Sequence, residues 1–182
     1  MNSYKLGLYE KAMPKELSWQ EKLEAAKAAG FDYIEMSIDE TDEKLARLTM
    51  SESEKEELHA AMKKTGIPVG SICLSGHRKY PFGDPNPEKQ RRSLDIMGKA
   101  VALAAELGIR TIQLAGYDVY YDEGSDKTRA DFEKNLITAV HFAERSGVQL
   151  GFETMETPFM DTVQKAMKYV DIVQSPYLGV YP

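Results

Sequence analysis

A glycine-containing joint recurs between each predicted helix and the strand that follows it, and it constrains the fold more than any other feature. Each joint consists of a helix end, a glycine and a short apolar run. The four joints read Ala-Gly-Phe-Asp-Tyr-Ile (29–34), Thr-Gly-Ile-Pro-Val (65–69), Leu-Gly-Ile-Arg-Thr-Ile (107–112) and Ser-Gly-Val-Gln-Leu (146–150). Glycine ends a helix readily because it adopts the left-handed conformation without steric cost. Short apolar strands that alternate with helices indicate βαβ units and a parallel sheet.

The same pattern predicts where the individual elements lie. Two helix starts carry capping-box spacing, Ser18 with Glu21 and Ser51 with Glu54. The acidic segment 39–43 and the basic segment 75–83 are predicted to be loops. Strands are predicted at residues 5–9, 33–37, 69–74, 111–115, 149–153 and 178–181, and helices at about 18–29, 51–64, 87–107, 128–146 and 162–173.

The regularity of these units favours a (β/α) barrel of the TIM-barrel type over a doubly wound sheet. A complete barrel of eight units typically needs about 250 residues, whereas this chain has 182. We therefore predict one truncated α/β domain over residues 1–182, an incomplete barrel of about five βα units plus a sixth strand, with the C-terminal strands missing. An open edge of a sheet tends to pair with another chain, so a homo-oligomer is expected.

Composition excludes several classes of function. The net charge is −6, which argues against a nucleic-acid binder that relies on a basic surface. The single cysteine, Cys73, excludes a disulfide framework and fits a reducing cytoplasm. No apolar run approaches the ~20 residues that span a membrane. We therefore expect a cytoplasmic protein with a small-molecule partner, acting on neither nucleic acid nor membrane.

The fifth predicted strand ends on a carboxylate, Glu153, and loop-like residues follow it. The carboxyl end of a parallel strand is where α/β proteins place their chemistry. A charge at the end of a buried strand is costly unless it is paired or bound to a metal. Glu153 is therefore a candidate catalytic and metal-binding residue, although a helix cap or an ordinary ion pair would also explain it.

Polar side chains follow the other strands as well, and in a barrel all of them face one mouth. The basic residues His77, Arg78 and Lys79 could hold a phosphate through charge-assisted hydrogen bonds, or they could form a solvated loop that balances the acidic segment 39–43. The rim suits a small polyhydroxylated ligand with an anionic group. Glu10 and Lys11 are also expected on this rim. The candidate substrate contacts are Tyr9, Glu35, Ser75, His77, Arg78, Gln113 and Tyr117.

Two kinds of site are not indicated by the sequence. It contains no glycine-rich fingerprint of the dinucleotide-binding or P-loop type. The three histidines, His59, His77 and His141, are too widely spaced for a zinc cluster.

Four segments resemble one family of sugar-phosphate epimerases. They are Gly-Leu-Tyr-Glu-Lys-Ala (7–12), Phe-Asp-Tyr-Ile-Glu-Met-Ser-Ile-Asp-Glu-Thr-Asp (31–42), Cys-Leu-Ser-Gly-His-Arg (73–78) and Gln-Leu-Ala-Gly-Tyr-Asp-Val-Tyr-Tyr (113–121). The chain is similar through essentially its whole length to the L-ribulose-5-phosphate (L-xylulose-5-phosphate) 3-epimerases, also named hexulose-6-phosphate isomerases, which are xylose-isomerase-like barrels.

The resemblance implies an isomerase that interconverts L-xylulose 5-phosphate and L-ribulose 5-phosphate by proton transfer at C3. A divalent metal, Mn, Zn or Mg, would stabilise the enediolate intermediate. In such barrels a Glu from the fifth strand binds the metal together with an Asp, a His and a Glu from the sixth, seventh and eighth strands. The first and last of these ligands also act as the acid/base pair. Glu153 matches the fifth-strand Glu, and Glu156 lies where the family often contacts the O1 end of the substrate.

The sequence departs from this pattern at its end. It stops at Pro182, where the Asp of the family would come next, so the other three ligands have no counterpart here. One carboxylate does not make a tight divalent site. We therefore expect that the chain alone binds no metal tightly and does not epimerise. The alternatives are a non-catalytic half-barrel that binds a sugar phosphate and, disfavoured by the acidic charge and the lack of His-rich clusters, a nuclease-like relative.

Overall fold

The structure is a computed structural model that describes residues 4–181. Residues 1–3 and 182 of the predicted domain lie outside this range. Strands and helices alternate along the described chain. The strands are β1 Gly7–Tyr9, β2 Tyr33–Ile38, β3 Val69–Leu74, β4 Thr111–Ala115, β5 Gln149–Glu153 and β6 Leu178–Tyr181; the helices are α1 Trp19–Ala28, α2 Asp42–Ala46, α3 Glu52–Thr65, α4 Pro87–Leu107, α5 Asp126–Ser146 and α6 Val163–Val173.

The six strands form one parallel sheet in the order β1-β2-β3-β4-β5-β6. This sequential order confirms the predicted (β/α) arrangement of the TIM-barrel type. Within residues 4–181 the strands β1 and β6 do not pair with each other, so the sheet is open between them.

The sheet is strongly curved. Neighbouring strands lie about 4.8 Å apart, so β2 and β6, which have three strands between them, would be about 19 Å apart in a flat sheet. A tyrosine side chain cannot span that distance. The hydroxyl of Tyr181 on β6 nevertheless lies 3.4 Å from Oε2 of Glu35 on β2. The sheet therefore curls around a concave face, as a section of barrel wall does.

Alternate residues of each strand face the helices. On β2, Ile34, Met36 and Ile38 are fully buried in the hydrophobic core. Leu74 on β3 and Phe152 on β5 join the same core. The residues between them point to the concave face, because strand side chains alternate in direction. The core thus lies between the sheet and its helices, and it leaves the concave face free for polar groups.

Local capping interactions explain where the helices begin and end. Both predicted capping boxes are present, Ser18 with Glu21 and Ser51 with Glu54. Gly108 follows α4 in the left-handed conformation, with φ of 71°. Among residues 4–181, no helix combines the length and the apolar character needed to cross a lipid bilayer.

The structure corrects three predicted elements. The first strand begins at Gly7 rather than at residue 5. The acidic segment predicted as a loop runs into α2, because the side chain of Thr41 caps that helix by accepting from the Lys44 amide. Helix α5 starts at Asp126, two residues earlier than predicted, since Ser125 and Thr128 form a further capping box.

Candidate active site

A cavity of about 320 Å³ opens on the concave face at the carboxyl ends of the strands. Five different strands or the turns directly after them contribute to its wall. The residues that line it are Tyr9, Lys11, Glu35, Cys73, Ser75, Arg78, Gln113, Ala115, Glu153 and Met155. The structure therefore brings together six of the candidate residues, namely Tyr9, Glu35, Ser75, Arg78, Gln113 and Glu153.

The sheet places these side chains by register. Cys73 pairs with Gln113, and Ala115 pairs with Glu153. Glu35 pairs with Ser71, whose hydroxyl donates a 2.7 Å hydrogen bond to Glu35 Oε2. This hydrogen bond holds the Glu35 carboxylate in the cavity wall, and Glu153 lies at the carboxyl end of β5.

Three candidate residues do not line the cavity. His77 is 4% exposed, and its Nε2 donates to the Ser93 carbonyl at 3.2 Å. Tyr117 is buried at the start of the loop that follows β4, and Glu156 is exposed beyond the end of β5. The structure therefore does not bring His77, Tyr117 and Glu156 to the cavity wall.

The environment of His77 also decides its charge. Its ring packs against Phe82, with ring centroids 4.5 Å apart. Burial lowers the pKa of His77 to about 4, and the hydrogen bond to Ser93 only partly opposes this shift. At neutral pH the side chain is therefore uncharged, so it cannot act as the phosphate-binding cation that the sequence suggested.

Glu153 holds its proton more strongly than an ordinary glutamate. Burial raises its pKa, the nearby charge of Glu35 raises it further, and the positive charge of Arg78 opposes both effects. Glu156 adds a smaller rise. A carboxyl group in this setting is suited to accept and return a proton, because its pKa moves towards neutrality.

Cys73 lines the cavity between Glu35 and Glu153, and sequence reasoning missed it. Burial raises the pKa of its thiol to about 11, helped by the charges of the two carboxylates and opposed by a hydrogen bond from Tyr9. The thiol is therefore protonated at neutral pH, and a protonated thiol is a poor nucleophile. Its position was readable from the alternation of β3, since Cys73 lies two residues from both Ser71 and Ser75.

Glu10 does not face the mouth, contrary to the sequence-based expectation. The short turn Glu10–Ala12 directs its side chain away from the cavity, where it is 2% exposed. There it accepts hydrogen bonds from Lys22, Lys44 and both terminal nitrogens of Arg47, and from the Ser37 amide. Lys11, by contrast, does line the cavity and pairs with Asp39 at 2.6 Å.

The described residues do not complete a divalent metal site. Across residues 4–181, no three His, Cys, Asp or Glu side chains converge closely enough to hold an ion. Glu153 remains the candidate ligand, and a single carboxylate binds divalent ions weakly. The residues that the structure describes therefore do not form a site that fits a divalent metal.

Larger hollows occur elsewhere, but they lack the strand-end groups. One of about 720 Å³ lies on the outer surface between α1, α2 and α3, beside Trp19 and Arg47. Another of about 500 Å³ lies at the opposite, amino-terminal end of the strands and includes Lys5 and Asp32. Chemistry in barrels is placed at the carboxyl ends of the strands, so the smaller cavity is the candidate active site.

Comparison with known proteins decides the family. The family model described as "Xylose isomerase-like TIM barrel" matches residues 23–182. The chain belongs to the xylose isomerase-like TIM barrel family. This confirms the family and fold expected from the sequence motifs.

Within the xylose isomerase-like family, the chain is similar to curated epimerases. It is 49% identical over 182 residues to a protein of Escherichia coli (strain K12) that carries the provisional name L-ribulose-5-phosphate 3-epimerase SgbU, covering 100% of this chain and 64% of that protein. It is 45% identical over 177 residues to L-ribulose-5-phosphate 3-epimerase UlaE of Salmonella paratyphi B, covering 97% of this chain and 62% of UlaE. The chain thus spans less than two thirds of the length of these relatives.

Solved structures of other proteins share the fold. A D-psicose 3-epimerase from Clostridium cellulolyticum H10, solved with D-tagatose, superposes with a TM-score of 0.83 at 18% identity, over 97% of this chain and 62% of that one. At this identity the likeness establishes the barrel architecture and nothing about substrate.

Proposed function

We propose that this chain carries the substrate-binding cavity and one acid/base carboxylate of an L-ribulose-5-phosphate 3-epimerase. The observation that carries the proposal is the convergence of Glu153, Glu35 and Gln113 in one cavity at the carboxyl ends of the strands. The names of the relatives at 45–49% identity support the substrate class.

The chemistry follows from the substrate. The proton on C3 of a 2-ketose is acidic because it lies next to the C2 carbonyl. The carboxylate of Glu153 takes this proton, and the electron pair of the C–H bond moves into the carbonyl to give an enediolate. Epimerisation requires that a second acid return a proton to the opposite face of C3. The raised pKa of Glu153 suits this exchange.

Other side chains of the cavity are proposed to hold the sugar. Glu35 is anchored through Oε2 by Ser71, so its carboxylate is positioned to accept a hydroxyl hydrogen. The amide of Gln113 and the hydroxyls of Ser75 and Tyr9 add donors and acceptors around the cavity. Glu156 lies outside the cavity wall but stays a proposed contact at the O1 end, because its charge acts on Glu153.

A second candidate function is binding without catalysis. The observation in its favour is that no three potential ligands converge within residues 4–181. We propose that the metal on which the family reaction is expected to depend is not held tightly by this chain alone, and that the isolated chain binds the sugar phosphate without turning it over.

Calorimetry and isotope exchange test the two functions together. We expect the chain, treated with a chelator, to bind L-ribulose 5-phosphate and L-xylulose 5-phosphate. We expect no deuterium to enter C3 from heavy water, even with added manganese. If deuterium does enter C3, and Glu153→Gln abolishes this exchange, the chain is catalytically active and the expectation that it is inactive is wrong. If neither pentulose phosphate binds, the proposed function is wrong.

Two further expectations belong to this proposal. A cytoplasmic location suits a sugar-phosphate enzyme with a single free cysteine. Within residues 4–181 the outer edges of β1 and β6 pair with no further strand, so we expect self-association. Light scattering that gives the mass of a monomer at every concentration would contradict self-association.

A further inference from the structure

Lys11 is a charged residue of the cavity wall that the proposed function does not use. It lies in the turn Glu10–Ala12 directly after β1, and its side chain is 43% exposed. The charge of its amine lowers the pKa of the Cys73 thiol, against the larger rise that burial causes. The amine therefore reaches the side of the cavity where Cys73 lies, between Glu35 and Glu153.

The turn that carries Lys11 is fixed through its neighbour Glu10. The carboxylate of Glu10 is buried and accepts a hydrogen bond from the Ser37 amide at 2.9 Å. It also accepts hydrogen bonds from both terminal nitrogens of Arg47, at 2.6 and 2.7 Å. These bonds tie the turn to the end of β2, so the backbone of Lys11 has a fixed place beside the cavity.

Asp39, directly after β2, holds the amine itself. Its Oδ2 lies 2.6 Å from Nζ of Lys11, and its Oδ1 accepts from the hydroxyl and the amide of Thr41 at 2.7 and 3.0 Å. Burial raises the pKa of Asp39, but the hydrogen bonds from Lys11 and Thr41 outweigh this effect and lower it. Asp39 is therefore ionised at neutral pH and keeps the amine in place.

This ion pair suits a sugar hydroxyl better than a phosphate. An ammonium group carries three N–H donors, and Asp39 occupies one of them, so the remaining donors can serve a ligand in the cavity. The carboxylate balances the charge of the amine, so the pair attracts a phosphate dianion little. A neutral hydroxyl group needs only a directed donor, and a charged donor forms the stronger hydrogen bond.

We propose that Lys11 is a further substrate-binding residue, whose amine donates hydrogen bonds to hydroxyl groups on the carbon chain of the sugar, and that Asp39 is the positioning residue that holds it. This inference rests on the proposed function for the identity of the sugar. It predicts that affinity for the sugar depends on Lys11 whether or not the ligand carries a phosphate.

Calorimetry with L-ribulose, L-ribulose 5-phosphate and inorganic phosphate tests the contact. Lys11→Met should weaken binding of both pentuloses by the same factor, about 10- to 100-fold as expected for lost charged hydrogen bonds, and leave inorganic phosphate nearly unchanged. Lys5→Met is the matched control, because Lys5 lies just before β1, pairs with Asp32 at 2.8 Å and carries the same charge. This control should leave all three affinities unchanged.

Asp39→Asn tests the positioning role. It removes the charge that holds the Lys11 amine, so L-ribulose should bind several-fold more weakly. It also removes the charge that balances the amine, so inorganic phosphate should bind more tightly. A loss of folded protein would weaken both ligands, and it cannot produce opposite changes. Asp32→Asn removes the partner of Lys5 in the same way and should change neither affinity.

Acetylation of the amines supplies a readout that needs no variant. N-hydroxysuccinimidyl acetate is allowed to react with the folded chain, and mass spectrometry of its peptides gives the rates at Lys11 and Lys5. Saturating L-ribulose 5-phosphate should slow the reaction at Lys11 and leave the rate at Lys5 unchanged. Inorganic phosphate should slow neither reaction.

The outcomes separate this contact from the proposed function. If L-ribulose 5-phosphate binds, and either Lys11→Met leaves its affinity unchanged or the sugar does not protect Lys11, the contact is wrong and the proposed function stands. Equal weakening of L-ribulose and inorganic phosphate by Lys11→Met would also overturn the contact with the carbon chain. Asp39→Asn that weakens both ligands would overturn the positioning role. A wild-type chain that binds neither pentulose would overturn the proposed function and the sugar contact together.

Discussion

A Cβ atom on Gly116 would lie 2.7 Å from the backbone oxygen of Glu153 and 2.9 Å from Cβ of Met160. The chain therefore needs a glycine at this position because the end of β4 passes against the end of β5. The contact fixes the backbone that carries Glu153, and it links the loop after β4 to the proposed acid/base residue.

Gly116→Ala should destabilise the protein and displace Glu153. Overpacking of this kind costs about 1–3 kcal/mol, measurable by urea unfolding. Gly98→Ala is the matched control, since its nearest contacts would be at 3.8 Å, from Phe142, and it lies inside α4. Alanine there should stabilise the helix by about 0.5–1 kcal/mol. If the two substitutions changed the free energy of unfolding equally, the close contact at Gly116 would not be the reason that this position needs a glycine.

Glu10→Gln should destabilise the fold strongly. The substitution leaves the positive charges of Lys22, Lys44 and Arg47 around a neutral amide. The Lys22 side chain is 4% exposed, so its charge is buried without its partner. Removing one partner of a buried ion pair typically costs about 3–5 kcal/mol. Glu88→Gln should change the free energy of unfolding little, because Glu88 is exposed in a loose pair with Arg91. Similar unfolding midpoints for the two variants would contradict the structural role of Glu10.

The contribution of Glu10 should also depend on pH. Burial raises its pKa, but hydrogen bonds from Arg47 and Lys44 outweigh this and hold the pKa well below its ordinary 4.5. The stabilisation is therefore fully present above pH 4.5 and is lost as the pH falls towards the folded value. The difference in unfolding free energy between the wild-type chain and Glu10→Gln should shrink on acidification. A difference that is constant from pH 7 to pH 3 would refute this account.

His77 should remain uncharged through the neutral range. Its pKa is lowered from 6.5 to about 4 by burial, so its ring resonances should not shift between pH 7.5 and pH 5.5. Because the unfolded chain binds a proton at higher pH than the folded chain, the stability from this residue is lost as pH falls below 6.5. Titration of the His77 ring near pH 6.5 would show that the ring is not buried.

The sequence alone predicts the sheet well, for a local reason. Helix ends at Gly66, Gly108 and Gly147 are set by left-handed glycines, and short apolar runs follow each of them. The predicted bounds of β3, β4 and β5 therefore coincide with the structure. Those of β6 coincide as well, although the helix before it ends on Gln174 rather than on a glycine. These signals lie within a few residues of the element that they define.

The site is only partly predictable, because long-range contacts decide where strand-end residues point. Glu10 follows β1 directly and looks like a rim residue, but cations 12 to 37 residues away draw its side chain out of the mouth. His77 and Arg78 are neighbours in one short turn, yet one packs under α4 and the other faces the cavity. Spacing along the chain does not distinguish these outcomes.

A map of amide chemical-shift changes, recorded while the chain is titrated with L-ribulose 5-phosphate, tests most directly whether the concave cavity binds the sugar phosphate. Binding in the concave cavity predicts the largest changes at the carboxyl ends of the strands, around Glu35, Gln113 and Glu153, and none in the outer hollow beside Trp19. Changes centred on Trp19, or at the amino-terminal ends of the strands near Asp32, would show that the concave cavity is not the binding site.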